Sequence, residues 1–447
     1  MIVNSLKVLR SPVRRLIAVA FLAFLFIAPL HKSARAQSLD RIERERALLM
    51  LNVVKTDLKN NYYDPNFRGM DVDARFKIAE EKVKTATSLG QAFGIVAQTL
   101  LDLNDSHTVF IPPRRPETVI YGWQMQMIGN KCYVVAVKPG SDAAAQGLKE
   151  GDEIISFQGF KPSRKEFWKM RYYYNLISPR PALKAVVQSP GAAPREMTLN
   201  AKIKPGTIVR DLTNNLEVND LLRELEDNYL AGRHRYYDKP DVFIWKMPAF
   251  DLKESDVDQL VDKASNRAMV IDLRGNGGGA ETTLLRMIGN FLDKDYKIGD
   301  INERKKSKPL LAKTRGPAAY HGKLVLLIDS ESGSSAELFA RVMQMEKRAI
   351  VVGDLSAGAV MRSRMYQHDL GTTTLVSFGV AVTNADVVMQ DGRSLENVGV
   401  TPDELLLNTG ADLAAKRDVV LSRALEIAGV KMSPEAAGQL FPIIWEK

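Results

Sequence analysis

The residues best suited to covalent chemistry stand in one stretch. In residues 323–343, KLVLLIDSESGSSAELFARVM, an apolar run is followed by Ser330, Ser332, Ser334 and Ser335. Leu338, Phe339, Val342 and Met343 then share one helical face. That order predicts a buried strand, a tight turn and a helix. A serine at the turn exposes its hydroxyl beside the N–H groups of the helix start, where negative charge is favoured. Acyl transfer needs a nucleophile in that setting. The same residue also suits a helix cap, because Glu337 follows Ser334 at capping-box spacing. A base is the missing partner, and among the five histidines His107 is preceded by Asp105 and Ser106. Both side chains can hydrogen-bond an imidazole and fix its tautomer.

A second turn competes for two roles. Residues 275–280, GNGGGA, lie between an apolar strand pattern (268–273) and a helical one (281–292), and satisfy G-x-G-x-x-[GA]. A dinucleotide site would need an acid about 20 residues further on, and only Asp295 and Asp300 are near. The other use is an oxyanion hole, in which glycine N–H groups point at developing negative charge. That use needs a nucleophile on a neighbouring turn, and Ser334 supplies one.

The elements that must position these residues fall into blocks. The leader, 1–36, has Arg14 and Arg15 before an apolar run of 15 residues and ends Ala34-Arg35-Ala36, which predicts a cleaved export signal. A retained membrane anchor is the alternative, although the run is short for a spanning helix. Residues 38–116 read as a helical domain, 119–203 as a β-rich module, 205–430 as strands alternating with helices, and 431–447 as a C-terminal tail. Residues 372–389 read as a hairpin. The two units of strand, turn and helix imply an α/β core with both turns at one sheet edge.

Composition narrows the function class. The chain has 62 basic and 53 acidic residues, and the leader carries six bases and no acid. The rest is therefore close to neutral, 56 against 53. No basic stripe interleaved with aromatics points to nucleic acid. Cys132 is the single cysteine, so neither an intrachain disulfide nor a thiolate metal cluster is available.

The β-rich module resembles the PDZ domain attached to bacterial processing proteases. The resemblance rests on Pro139-Gly140-Ser141, the Ala-rich segment 143–145, Gly147-Leu148 and Gly151-Asp152 before Ile154-Ile155. It implies a groove at Gly122, Trp123, Gln124 and Met125 that takes an extended peptide as an added strand; a module that only packs on the core is the alternative. The whole chain resembles the tail-specific, carboxyl-terminal processing serine protease family, which includes the tricorn protease core. The carrying residues are Asp272, Arg274, Asn276, Gly278 and Gly279, the serine turn 332–337, and residues 399–403, GVTPD. This implies an α/β, multi-domain α+β fold with a crotonase/Clp-like ββα spiral core, Ser334 as nucleophile, polypeptide substrates and no metal or cofactor. In the Ser/Lys branch a lysine would stand at position 359, but the residue is Ala359. The tricorn-like branch implies instead His107 as base, Ser106 and Glu396 as its orienters, and oxyanion donors from Gly279 and Ser335, with Gly278 the alternative donor. A member of the same fold that only binds peptide or ligand is the competing expectation. The resemblance leaves the oligomeric state open.

Overall fold

A computed structural model of the chain describes residues 39–205, 233–371 and 375–445. The expected export signal lies outside them. Among the described residues no helix is long and apolar enough to cross a membrane.

The helical region comprises α1 (Arg41–Asn61), α2 (Val72–Lys84) and α3 (Leu89–Leu101). Ala47, Leu51, Val54 and Leu58 recur every three or four residues along α1 and are buried together. Asp40, Asp71 and Ser88 each cap a helix by accepting the amide three residues on. The chain then leaves through the short strand β1 (Val109–Ile111).

After β2 (Glu117–Ile120) comes a module of five antiparallel strands, β3 (Trp123–Ile128), β4 (Lys131–Val137), β5 (Glu153–Phe157), β6 (Ala182–Gln188) and β7 (Arg195–Asn200). Two helices accompany them, α4 (Asp142–Ala145) and α5 (Arg164–Tyr172), and β8 (Lys202–Pro205) pairs back to β2 at the root. Within this sheet β3 pairs only with β4, so its other side is an edge. The turn 189–194 joins β6 to β7, as its Ser-Pro-Gly composition predicts.

The larger core begins with β9 (Arg235–Asp238), β10 (Val242–Lys246), α6 (Glu254–Ala264), β11 (Ala268–Asp272) and α7 (Glu281–Phe291). It continues through β12 (Tyr296–Glu303), β13 (Ser307–Ala312), β14 (Leu324–Ile328), α8 (Ser335–Met345) and β15 (Ile350–Gly353). The last elements are β16 (Arg362–Leu370), β17 (Val376–Met389), β18 (Glu404–Leu405), α9 (Gly410–Ala414), α10 (Val419–Ala428) and α11 (Pro434–Gly438). One sheet has the order β18-β15-β14-β11-β10-β9 and is parallel except for β9. Every residue of β14 is buried because both faces are covered. Leu324, Leu326 and Ile328 pack with α6, α7 and α8, whereas Val325 and Leu327 pack with α10.

Residues expected as a tail join that second layer: Ala437 is buried there, with Leu440 and Phe441 against it. A second sheet has the order β1-β17-β12-β13, with β16 also on β17. The hairpin expected at 372–389 starts ten residues earlier, at Arg362. Strand β16 lies outermost and exposes most of RSRMYQHDL, so its sequence carries no apolar alternation.

The two sheets explain how distant residues meet. β1 follows His107 by one residue and pairs with β17 at Val109–Ala381, and the chain beyond β17 carries Glu396. The neighbouring parallel strands β11 and β14 end in the glycine loop and the serine turn.

Candidate active site

The serine turn is held on every side. Asp329 N–H donates to Ser332 Oγ at 2.9 Å, and Ser332 Oγ donates to the Leu273 carbonyl at 2.8 Å. Gly333 N–H reaches the Asn276 carbonyl at 2.8 Å, so the turn is tied to the glycine loop. Ser334 sits at φ 53°, ψ −121°. A left-handed non-glycine residue of this kind costs roughly 1–3 kcal/mol and persists only where its surroundings enforce it. Its N–H is shared between the Ala359 carbonyl at 2.7 Å and Glu337 Oε2 at 3.1 Å. Glu337 therefore does act at the helix start, but through its carboxylate.

The glycine loop packs directly on the serine. Gly278 has φ +102°, and a Cβ there would lie 2.5 Å from Ser334 Cβ. Its N–H, expected as the alternative oxyanion donor, donates to Asn276 Oδ1 at 2.8 Å. The side chain of Asn276 also donates to the Met247 carbonyl at 2.9 Å, fixing the loop. Among the described residues no hydrogen bond takes the N–H of Gly279 or of Ser335. The two residues are joined through Ser335 Oγ, 3.1 Å from the Gly279 carbonyl.

The second half of the site is a chain of three side chains. Ser106 Oγ lies 2.7 Å from His107 Nδ1 and 2.9 Å from Glu396 Oε2, and Ser106 N–H donates to Glu396 Oε1 at 2.9 Å. An ionised carboxylate only accepts, so the hydroxyl hydrogen points at Glu396 and the hydroxyl accepts from Nδ1–H. That fixes the tautomer with a lone pair on Nε2. Burial lowers the His107 pKa below its usual value, with the Asp105 charge opposing. Burial raises Glu396, against the bonds from Ser106 and Val360.

Asp105 does not touch the imidazole, contrary to the sequence expectation. Its carboxylate takes the N–H groups of His107 and Thr108 at 2.9 and 2.7 Å, together with the hydroxyls of Thr108 and Thr383. It shapes the loop and leaves the ring to Ser106.

The two halves meet through one short segment. Ala359 accepts from Ser334 N–H, and Val360 N–H donates to Glu396 Oε2 at 3.1 Å. No hydrogen bond joins His107 to Ser334 among the described residues. Catalytic contacts are often long before substrate arrives. Sequence reasoning missed how far Glu337 reaches: its two oxygens take Ser356 Oγ, Gly358 N–H, Ala359 N–H and Ser334 N–H. Only its capping spacing hinted at this.

Residues 242–406, which hold the serine turn, the glycine loop and Glu396, match the profile of peptidase family S41. Over that segment the chain is similar to peptidase family S41. The chain is 24% identical over 291 residues to the tail-specific protease of Haemophilus influenzae, covering 61% of this chain and 39% of that protein. It is 22% identical over 397 residues to a putative tricorn protease homolog of Streptomyces coelicolor, covering 82% and 31% respectively. The chain thus spans less than half the length of either relative. A crystal structure of mature CPAF superposes with a TM-score of 0.62 at 16% identity, covering 83% of this chain and 94% of the other.

Beside the site, Asp272, Arg274 and Asp418 form a brace in which Asp272 is buried and the other two are partly buried, with Arg274 bonded to both acids at 2.8–3.0 Å. Burial would raise Asp272, but Arg274 and Lys246 hold it below the usual carboxylate range. Cys132 is buried, and burial pushes its thiol up to about 12. Among the described residues no group of three or more His, Cys, Asp or Glu is placed to hold a metal.

The expected groove residues divide. Gln124 and Met125 line a cleft of about 600 Å³ between β3 and the larger core, together with Arg171, Lys246, Asp329 and Glu331. The Trp123 ring packs inward, 6.1 Å from Phe157, although the residue borders the same cleft. Gly122 is a backbone device: its carbonyl accepts from Lys138 N–H at 2.8 Å, and a Cβ would meet Ser141 Cβ at 2.6 Å. The module also grips the serine turn. Gln126 bonds Asp329 at 2.6 Å, Ser330 Oγ bonds the Met127 carbonyl at 2.5 Å, and Arg171 pairs with Glu331.

Proposed function

We propose that this chain is an exported serine endopeptidase that takes polypeptide along β3 and cleaves it by an acyl-enzyme route. The observation that carries the mechanism is the Glu396–Ser106–His107 chain, which leaves the His107 Nε2 lone pair free. Nε2 takes the Ser334 hydroxyl proton as Oγ attacks the scissile carbonyl carbon. The resulting oxyanion is received by the N–H groups of Gly279 and Ser335. Nε2 then gives the proton to the leaving nitrogen, the C–N bond breaks, and an ester remains on Ser334. Water, losing a proton to Nε2, attacks the ester and releases the carboxylate product and the free hydroxyl.

The PDZ-like reading of 119–203 is supported by the edge position of β3 and the cleft beside it, since strand addition needs an unpaired edge. Export rests on the leader sequence.

Labelling with a fluorophosphonate tests the mechanism. Wild type should label and Ser334→Ala should not. Absence of label on wild type removes the serine-hydrolase reading and leaves the non-catalytic binding protein, which the missing His107–Ser334 bond favours.

A further inference from the structure

The loop that carries His107 is held by a residue the mechanism above does not use. Between α1 and α2, Phe67 and Arg68 are consecutive non-glycine residues with φ of 50° and 52°. Asp64 enforces the turn by accepting the N–H groups of Asn66 and Arg68 at 2.9 and 2.7 Å. Two left-handed residues in succession are unfavourable, and a turn that keeps them directs the second side chain to a set place. Arg68 Nη1 donates to the Asn104 carbonyl at 2.6 Å. Nε and Nη2 both reach the Tyr63 hydroxyl at 3.3 Å, and Nη2 lies 3.9 Å from Met361 Sδ.

These contacts converge on the site from the helical region. Asn104, itself at φ 52°, immediately precedes Asp105-Ser106-His107. Its carbonyl also receives Asn397 Nδ2 at 3.5 Å, and Asn397 follows Glu396. Met361 follows Val360, whose N–H holds Glu396. One guanidinium therefore contacts the segment of the base and the segment that links both halves. Its hydrogen-bond partners are a carbonyl, a phenol and a thioether, all uncharged, so the planar fork acts as a clip and not as half of a salt bridge.

We propose that Arg68 is a positioning residue for the catalytic base, setting the His107 loop through the Asn104 carbonyl. The inference rests on the Ser334–His107 reading. Misplacement of a catalytic group by about 1 Å can cost on the order of a hundredfold in rate. Arg68→Ala should therefore lower kcat by roughly 10- to 100-fold with KM nearly unchanged, and slow fluorophosphonate labelling in parallel. Arg68→Lys, which keeps a donor but loses the fork, should fall between.

The decisive measurement is rescue. Guanidinium ion below denaturing concentration should restore much of the Arg68→Ala rate and leave wild type unaffected. A variant with near wild-type kcat overturns the proposal, as does a loss that guanidinium does not relieve while circular dichroism shows a native fold. If Arg68→Ala does not fold, Arg68→Lys carries the test: wild-type kcat in that variant, or a loss confined to KM, overturns it. Failure of wild type itself to label sinks the underlying mechanism and is a distinct result.

Discussion

Replacing Glu337 by glutamine should remove a pH dependence that the serine turn builds into the protein. The carboxylate is fully buried. Oε1 accepts from Ser356 Oγ at 2.5 Å and Gly358 N–H at 2.7 Å, and Oε2 from Ala359 N–H at 2.8 Å and Ser334 N–H at 3.1 Å. None of these donors is a cation. Burial accordingly wins over the hydrogen bonds and pushes Glu337 up to about 7, from a usual 4.5. The folded protein then holds a proton between those values that the unfolded chain has released. The stabilising contribution is full below about pH 4.5 and is lost as pH rises through about 7. At 1.36 kcal/mol per pKa unit the swing is about 3 kcal/mol. Glutamine does not titrate, so its stability should lack this slope. It also sets an NH2 group against at least one backbone N–H, a mismatch worth roughly 1–3 kcal/mol. Urea-unfolding free energies at pH 5 and pH 8 give the test. Wild type should exceed Glu337→Gln clearly at pH 5, and the gap should shrink by about 3 kcal/mol at pH 8. Glu396 titrates in both proteins and cancels. A gap that is the same at both pH values, to within about 1 kcal/mol, refutes the assignment of the raised pKa to this buried carboxylate.

Two further outcomes follow from the geometry. Since burial lowers His107 and the base must be neutral, kcat/KM should rise with pH through a midpoint below the usual 6.5 and then level off; a midpoint above 7 would contradict the base assignment. Gly278→Ala places a methyl 2.5 Å from Ser334 Cβ at φ +102°, so labelling should slow by about a hundredfold or more while melting shows a loss of roughly 1–3 kcal/mol; wild-type labelling would show that the loop yields without moving the serine.

The core strands and the serine turn were legible because their physics is local. Residues 324–328 are apolar throughout, which is what two covered faces require, and the small residues after them can only be a turn. The glycine loop was legible for a related reason, since Gly278 and Gly279 adopt φ values of 102° and 145° that other residues rarely reach. What could not be read was which donor goes where. Asp105 and Ser106 both looked able to hold the imidazole, and only the placement of Thr108, Thr383 and Glu396 assigns Asp105 to the backbone and Ser106 to the ring. Those partners are remote in sequence, and neither period nor spacing encodes them. Arg68 was silent because a single arginine in a polar turn has no pattern at all.

Ala359 has no amine, so a lysine base at that place is excluded by residue type alone. Its backbone is nevertheless at the centre of the site: the carbonyl accepts from Ser334, the N–H donates to Glu337, and the next N–H, of Val360, donates to Glu396. A base delivered from this segment would need only a side chain. A base delivered by His107 needs the helical region, β1 and β17 to be in register, because Ser106 and Glu396 are 290 residues apart and must agree to within a hydrogen bond. The buried contacts around Asp105, Thr108 and Thr383 meet that requirement. They tie the His107 loop to β17 through side chains that are themselves fully or almost fully buried, so loosening the sheet and misaligning the imidazole are one event.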